Sequence, residues 1–209
     1  MLETAIVAFT TFFATIGPID VAALFAAMTP NASSRFRRSM ALRGTAIAAL
    51  ILICFALAGK PLLHTLGISL AALKISGGIL LLLIGVDMVF ARSSGGTSTT
   101  DEENHEAVGK HDISVFPLAT PLIAGPGARG SAILLMANAK GSILAELVVL
   151  GALIATLLLT LVLLLIANRV QKFFGVTGMH VISRIFGVLL TALAVQFMID
   201  GIAQSGLLS

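Results

Sequence analysis

Residues 115–130 read Val-Phe-Pro-Leu-Ala-Thr-Pro-Leu-Ile-Ala-Gly-Pro-Gly-Ala-Arg-Gly. The stretch is apolar enough to enter a bilayer, yet Pro117, Pro121 and Pro126 interrupt it together with three glycines. Proline lacks a backbone donor and its ring clashes with the preceding turn. An unbroken helix here would lose about 3 kcal/mol at each interior proline. In hydrocarbon the freed backbone groups have to find partners inside the protein. An apolar segment of this kind is expected to be a broken helix lining a cavity rather than a plain anchor. A shorter version, Thr15-Ile16-Gly17-Pro18-Ile19-Asp20, lies near the N-terminus, and Gly17 stands 108 positions before Gly125.

Composition fixes the solvent. Of 209 residues, 57% are hydrophobic and 11% charged, and the mean hydropathy is +1.05. A soluble domain carries roughly 25% charged residues, so this chain could not cover its surface with polar groups. The expected class is an all-α integral membrane protein. Glu3 stands where a secretory signal has its basic region, so the first apolar stretch reads as an uncleaved span. Cys54 is the only cysteine and reads as a small apolar residue without a disulfide. The excess of basic residues lies beside the spans and gives no pointer to nucleic acid.

Six spans are expected, at about residues 4–28, 44–59, 75–91, 113–139, 143–167 and 185–203, because a helix needs about 20 apolar residues to cross the hydrocarbon. Spans one and four are broken, at Gly17-Pro18 and Gly125-Pro126. Residues 62–73 read as a turn or interfacial segment. Residues 92–112 are polar and read as a disordered linker between two three-span halves, 1–91 and 113–209. The halves correspond further: Leu66-Gly67-Ile68-Ser69 matches Phe174-Gly175-Val176-Thr177, and Lys74-Ile75-Ser76-Gly77 matches Arg184-Ile185-Phe186-Gly187. An odd number of spans per half makes this an inverted repeat, the plan of many secondary transporters. Arg35, Arg37, Arg38, Arg43, Arg92, Lys110, Arg169, Lys172 and Arg184 fall on one side, against Lys60, Lys74 and Lys140 on the other. The positive-inside rule then puts both termini outside the cell.

Each break starts a second half-helix with Pro18 or Pro126 near its first position, where a missing donor is harmless. The N-termini of these half-helices are expected to meet at the bilayer midplane. There their unpaired N–H groups and dipole ends suit an anion such as a carboxylate. Gly17, Pro18, Gly125, Pro126 and Gly127 would frame that site, and Ala14, Ala22, Ala124 and Ala128 leave room only for a small solute. The competing reading is a pair of proline kinks that only shape packing. Asp20 and Arg129 lie just past the breaks, at nearly equivalent repeat positions. Ionisable groups at that depth face a cavity or one another. Either they pair and lock span one to span four, or Arg129 anchors a carboxylate while Asp20 takes an ammonium group or a proton. Thr10, Thr11, Thr15 and Thr120 line the cavity or bond back to their own helices. Asp112 reads as an N-cap for span four. His105, Glu106 and His111 lack zinc-protease spacing, and no phosphate-cradling loop is present, so neither a metal nor another cofactor is expected.

Two stretches, Lys74-Ile75-Ser76-Gly77-Gly78-Ile79 through Asp87-Met88 and Asp112-Ile113-Ser114-Val115-Phe116-Pro117 through Gly125-Pro126-Gly127-Ala128, resemble the signature regions of the MarC family of membrane proteins. The likeness extends over the whole chain in span number and order. It implies kinship with LysE-type exporters and a bacterial inner-membrane carrier for glycine- or alanine-like solutes, with proton coupling open. Two places depart from the family pattern: Gly17-Pro18-Ile19-Asp20 replaces an Asn-Pro-Ile-Gly-like run, and Arg129 replaces an apolar residue. The partners expected are a small solute and the lipid bilayer, with a homo-oligomer left open. A membrane enzyme would need a nucleophile, an acid–base pair or a metal set near one interface, and none stands out, so no catalytic residue is assigned. A non-transporting structural or signalling protein would have no need of twin breaks.

Overall fold

A computed structural model describes the backbone of residues 1–29, 32–90, 112–139 and 141–206, with side chains except those of residues 60, 168–177, 179 and 180. The expected linker therefore lies outside the described residues, save Asp112. All elements are helical: α1 (Leu2–Ile16), α2 (Pro18–Met28), α3 (Ser34–Thr65), α4 (Leu70–Val89), the irregular α5 (Ser114–Ile123), α6 (Pro126–Asn138), α7 (Ile143–Leu165) and α8 (Ala167–Gln204). Five helical stretches are long and apolar enough to cross a membrane: Leu2–Met28, Ser34–Gly59, Leu70–Val89, Ile143–Leu165 and Val181–Gln204. The sixth apolar segment is α5, too short by itself and continued by α6.

The broken spans form the centre. In Leu2–Met28, 56% of the most apolar window is buried, against 28–39% in the other four stretches. α7 packs against both α1 and α2, α3 packs against both α5 and α6, and α4 runs along α8. The outward faces carry large exposed apolar residues such as Leu50, Leu83, Leu158 and Ile185. On a water-soluble protein such faces would be an aggregation liability, whereas here they meet lipid.

Boundaries follow local chemistry. Ser33 opens α3, its hydroxyl accepting from the Phe36 N–H at 3.2 Å, and Ser69 opens α4 by accepting from Ala72 at 3.1 Å. α3 runs on through Pro61 to Thr65, so most of the expected interfacial segment is helix, with its turn confined to residues 66–69. α8 likewise begins at Ala167, not near residue 185. At 1.5 Å per residue its 38 residues span about 57 Å, well beyond the hydrocarbon, and only Val181–Gln204 is apolar enough to lie in it. The stretch 168–184, left between the expected fifth and sixth spans, is thus part of a helix.

The α4–α8 seam depends on glycine. A Cβ at Gly85 would lie 3.0 Å from the Gly187 carbonyl oxygen, and one at Gly187 would lie 2.9 Å from that of Gly85. The two backbones touch there, the close approach that stands in for hydrophobic driving force between membrane helices. Further along, a Cβ at Gly201 would come within 3.0 Å of the Lys74 Cβ. That approach covers Lys74, which is 2% exposed. The sequence placed this lysine in a basic count at one membrane surface; it lies in the second turn of α4, at the end of that span, and is buried there against α8.

Replacing Gly187 by leucine is expected to destabilise the protein by about 2 kcal/mol through overpacking. Gly130→Ala, with nothing within 4 Å of the added carbon, is expected to be neutral or stabilising by up to about 1 kcal/mol. Thermal melts in detergent with a size-exclusion readout would rank the two; equal melting temperatures would refute the seam's role.

Candidate functional site

The first break is a one-residue joint. Gly17 takes the left-handed conformation (φ 60°, ψ 58°), which glycine reaches without penalty. Its N–H donates to the Phe13 carbonyl at 3.0 Å, closing α1, and its carbonyl accepts from the Val21 N–H at 2.9 Å, opening α2. Pro18 occupies the first helical position, as expected. Asp20 falls in the first turn of α2, where the helix dipole favours an acid.

The Asp20 carboxylate is tied to α8. The Ser183 hydroxyl lies 2.8 Å from Oδ1 and 2.9 Å from Oδ2. Beside this contact is a cavity of about 10 Å³, bounded by Phe13, Gly17, Ile19, Asp20, Ser183 and Phe186. That is space for about one water. The Phe13 and Phe186 rings, both in its lining, pack on one another with centroids 4.2 Å apart at a tilt of 39°. On α1 the hydroxyls of Thr11 and Thr15 donate back to the Val7 and Thr11 carbonyls, at 2.7 and 2.8 Å. These two threonines therefore satisfy their own helix.

The second break is spread over ten residues. Phe116 (φ −131°, ψ 126°) and Thr120 (φ −137°, ψ 122°) are extended, the conformation imposed on a residue that precedes proline. The Phe116–Pro117 and Thr120–Pro121 peptide bonds are cis. Between them the turns widen: the Leu118 N–H donates to the Ile113 carbonyl at 3.2 Å and the Ala124 N–H to Ala119 at 2.9 Å, each spanning five residues. Gly125 then caps α6, accepting from the Arg129 N–H at 3.0 Å, with Pro126 at its start. The start of α5 is pinned by Asp112. Its Oδ1 accepts from the Ser114 N–H at 2.9 Å and the Ser114 hydroxyl at 2.6 Å, and its Oδ2 lies 3.6 Å from Arg43 on α3. The two hydrogen bonds from Ser114, with a smaller contribution from Arg43, hold this carboxyl below the usual carboxylate range.

The breaks cross one another. α1 packs against α6, and α2 against α5. Where they meet, a Cβ on Gly127 would collide with Ile84 of α4 and lie 3.8 Å from the Thr15 Cβ. Thr15 and Gly127 are thus brought together, but Asp20 and Arg129 are not. One Arg129 terminal nitrogen donates to the Thr120 hydroxyl at 3.3 Å, and the guanidinium carbon lies 5.5 Å from the centre of the Phe55 ring on α3. Its Nε is buried without a hydrogen-bond partner. No ion pair joins Arg129 to an acid among the described residues. Asp20 is the third residue of α2 and Arg129 the fourth of α6, and one residue of offset is about 100° around a helix. That rotation sends Asp20 toward α8 and Arg129 toward α3 and α5. Sequence reasoning missed Ser183 and Phe55. Ser183 stood next to Arg184 at the start of a repeat match, but its contact across 163 positions left no local pattern. Among the described residues no three His, Cys, Asp or Glu side chains assemble as a metal site.

A polytopic helical bundle centred on two interrupted spans defines a multi-pass integral membrane protein. The model of the MarC family integral membrane proteins matches residues 2–205, and the chain belongs to that family. It is 37% identical to a UPF0056 membrane protein of Methanocaldococcus jannaschii, over 96% of this chain and 97% of the relative. Similar proteins from Archaeoglobus fulgidus and Buchnera aphidicola are 36% and 35% identical, with 94% and 93% of this chain and 91% and 89% of theirs covered. No solved structure matches the chain.

Two outcomes are expected here. In a double-mutant cycle, Asp20→Ala and Ser183→Ala should show a coupling of about 1.5 kcal/mol, the scale of a hydrogen bond to a charged group; additive effects would dismiss the contact. Asp112→Ala should lower stability by about 1 kcal/mol at neutral pH, as for loss of a helix cap. Because folding depresses this carboxyl, its contribution is full above about pH 4 and fades as the pH falls through the lower folded value. Melts from pH 7 down to pH 3 should show the gap closing; an undiminished gap at pH 3 would count against it.

Proposed function

We propose that the chain is a secondary transporter of small neutral amino acids, glycine- or alanine-like, or of similarly small solutes. The observation that carries this is Arg129: a guanidinium between packed helices, beside the α6 N-terminus, with a buried Nε unbonded and no acid in reach among the described residues. Leaving such a group unpaired in the membrane is costly unless an anion visits it. A carboxylate accepts the guanidinium fork in two parallel bonds, and the first N–H groups of α6 add to its pull. Asp20 is then the acid for the ammonium group or for a coupled proton. Buried Ala14, Ala22, Ala124 and Ala128 at the breaks hold the solute to a small size.

Alternating access would rock one three-span half against the other. The packing supports an inverted pair: α3 against α5 and α6 has its counterpart in α7 against α1 and α2, and α4 against α6 in α8 against α2. In this reading the chain acts as a carrier, not an enzyme, in the bacterial inner membrane. Both termini lie outside, with Arg35, Arg37, Arg38 and Arg43 at the cytoplasmic surface.

Purified protein in liposomes should take up labelled alanine or glycine saturably, with and without a pH gradient. Arg129→Gln should raise KM at least about tenfold, since losing a charge-assisted hydrogen bond costs roughly 1.5–3 kcal/mol, while the protein still elutes as one folded species. Absence of saturable flux for every small amino acid tried would sink the proposal.

A further inference from the structure

A second cavity, remote from the breaks, has a chemistry of its own. It measures about 400 Å³ and lies between the start of α3 and the junction of α7 with α8. Ser34, Arg37 and Arg38 form one wall, and Leu165, Ile166 and Ala167 are among the residues of the other. Arg37 is half-buried and Arg38 exposed. Neither forms an ion pair with an acid among the described residues, where the pair present is Arg43 with Asp112. The first turn of α3 holds no acid.

This arrangement is unfavourable as it stands. Arginines in the opening turns of a helix face the positive end of its dipole, which favours anions instead. Arg35, Arg37 and Arg38 also repel one another. An anion in the cavity would offset both effects, taking N–H donors from the guanidinium groups and from the first turn of α3, where Ser33 occupies only the Phe36 N–H. The opposite wall is apolar, with Leu165 and Ile166 48% and 40% exposed. The position is also specific. Ser34 begins one membrane-crossing stretch and Leu165 ends another, so the cavity lies at the level where lipid headgroups sit. A soluble anion would gain nothing from the leucine and isoleucine, whereas a lipid would use both walls.

We propose that this cavity is a binding site for an anionic phospholipid. Its headgroup phosphate lies against Arg37 and Arg38, and its glycerol and upper acyl chains lie along Leu165 and Ile166. Basic pockets between membrane helices recognise phosphate headgroups in this way. The site is independent of the transport reading.

The test uses the full chain in detergent. Titration with phosphatidylglycerol should raise the melting temperature, while phosphatidylcholine and inorganic phosphate should not. In R37Q/R38Q the apparent affinity for phosphatidylglycerol should fall roughly thirtyfold, at about 1 kcal/mol per basic residue. R35Q, which alters an arginine outside the cavity wall, should leave it within about threefold. A phosphatidylglycerol probe bearing a photoreactive headgroup, used on the unaltered protein, should label peptides containing residues 34–38 or 164–167. That readout stands even if the double variant fails to fold. Equal stabilisation by phosphatidylcholine, an unchanged affinity in folded R37Q/R38Q, or labelling elsewhere would overturn the proposal. Stabilisation by inorganic phosphate with the same arginine dependence would replace the lipid by a soluble anion and overturn it as well.

Discussion

The backbone's need for hydrogen bonds in a solvent that offers none governs this structure. At both breaks the chain resumes backbone hydrogen bonding within a few residues. At Gly17 one left-handed residue serves as the end of one helix and the start of the next, so both neighbouring turns keep their bonds. In α5 the solution differs: extended residues alternate with wide turns, and carbonyls find donors five residues on. Both start a new helix, at Pro18 and at Pro126, within an apolar span. Neither could be exposed to lipid, so α3 and α7 have to enclose them.

That enclosure explains the remaining packing. Spans that carry irregular backbone are the most buried, and the regular helices form a wall around them. The wall is tightened where side chains are absent, as at Gly85 and Gly187, whose backbones meet directly. The same device hides Lys74 opposite Gly201. A charge at the end of a span can thus be buried within the protein where the facing helix presents no side chain.

The membrane class, the helical fold and the positions of both breaks were legible because they depend on composition and on proline, which act locally. Asp112 was expected to cap span four; the cap position is Ile113, and Asp112 just before it bonds Ser114, the first residue of α5. What the sequence left open was rotation. Counting from Gly17 and Gly125 brings Asp20 and Arg129 within one residue of equivalence, and that single residue turns them to different neighbours. The extent of α8 escaped too, because residues 168–180 lack the apolarity of a span yet continue its helix. Ser183 and Phe55 are contacts made by packing, and no periodicity announces them. The centre of the candidate site was therefore visible, while the pairing of its charged members was not.

The void beside Asp20 carries a consequence for any ligand that would reach it. Being about the volume of one water and lined in part by Phe13 and Phe186, it offers no preformed mould. A solute larger than a water has first to displace side chains of this lining, Ser183 on the carboxylate among them. The free energy of that opening is subtracted from whatever the solute gains, so apparent affinity is scaled by the fraction of molecules already open. Discrimination would then lie in the opening step, where a bulkier guest has to separate the helices further. Tight grip and easy entry are opposed in such a site, and a void this small favours neither a large guest nor a tight one.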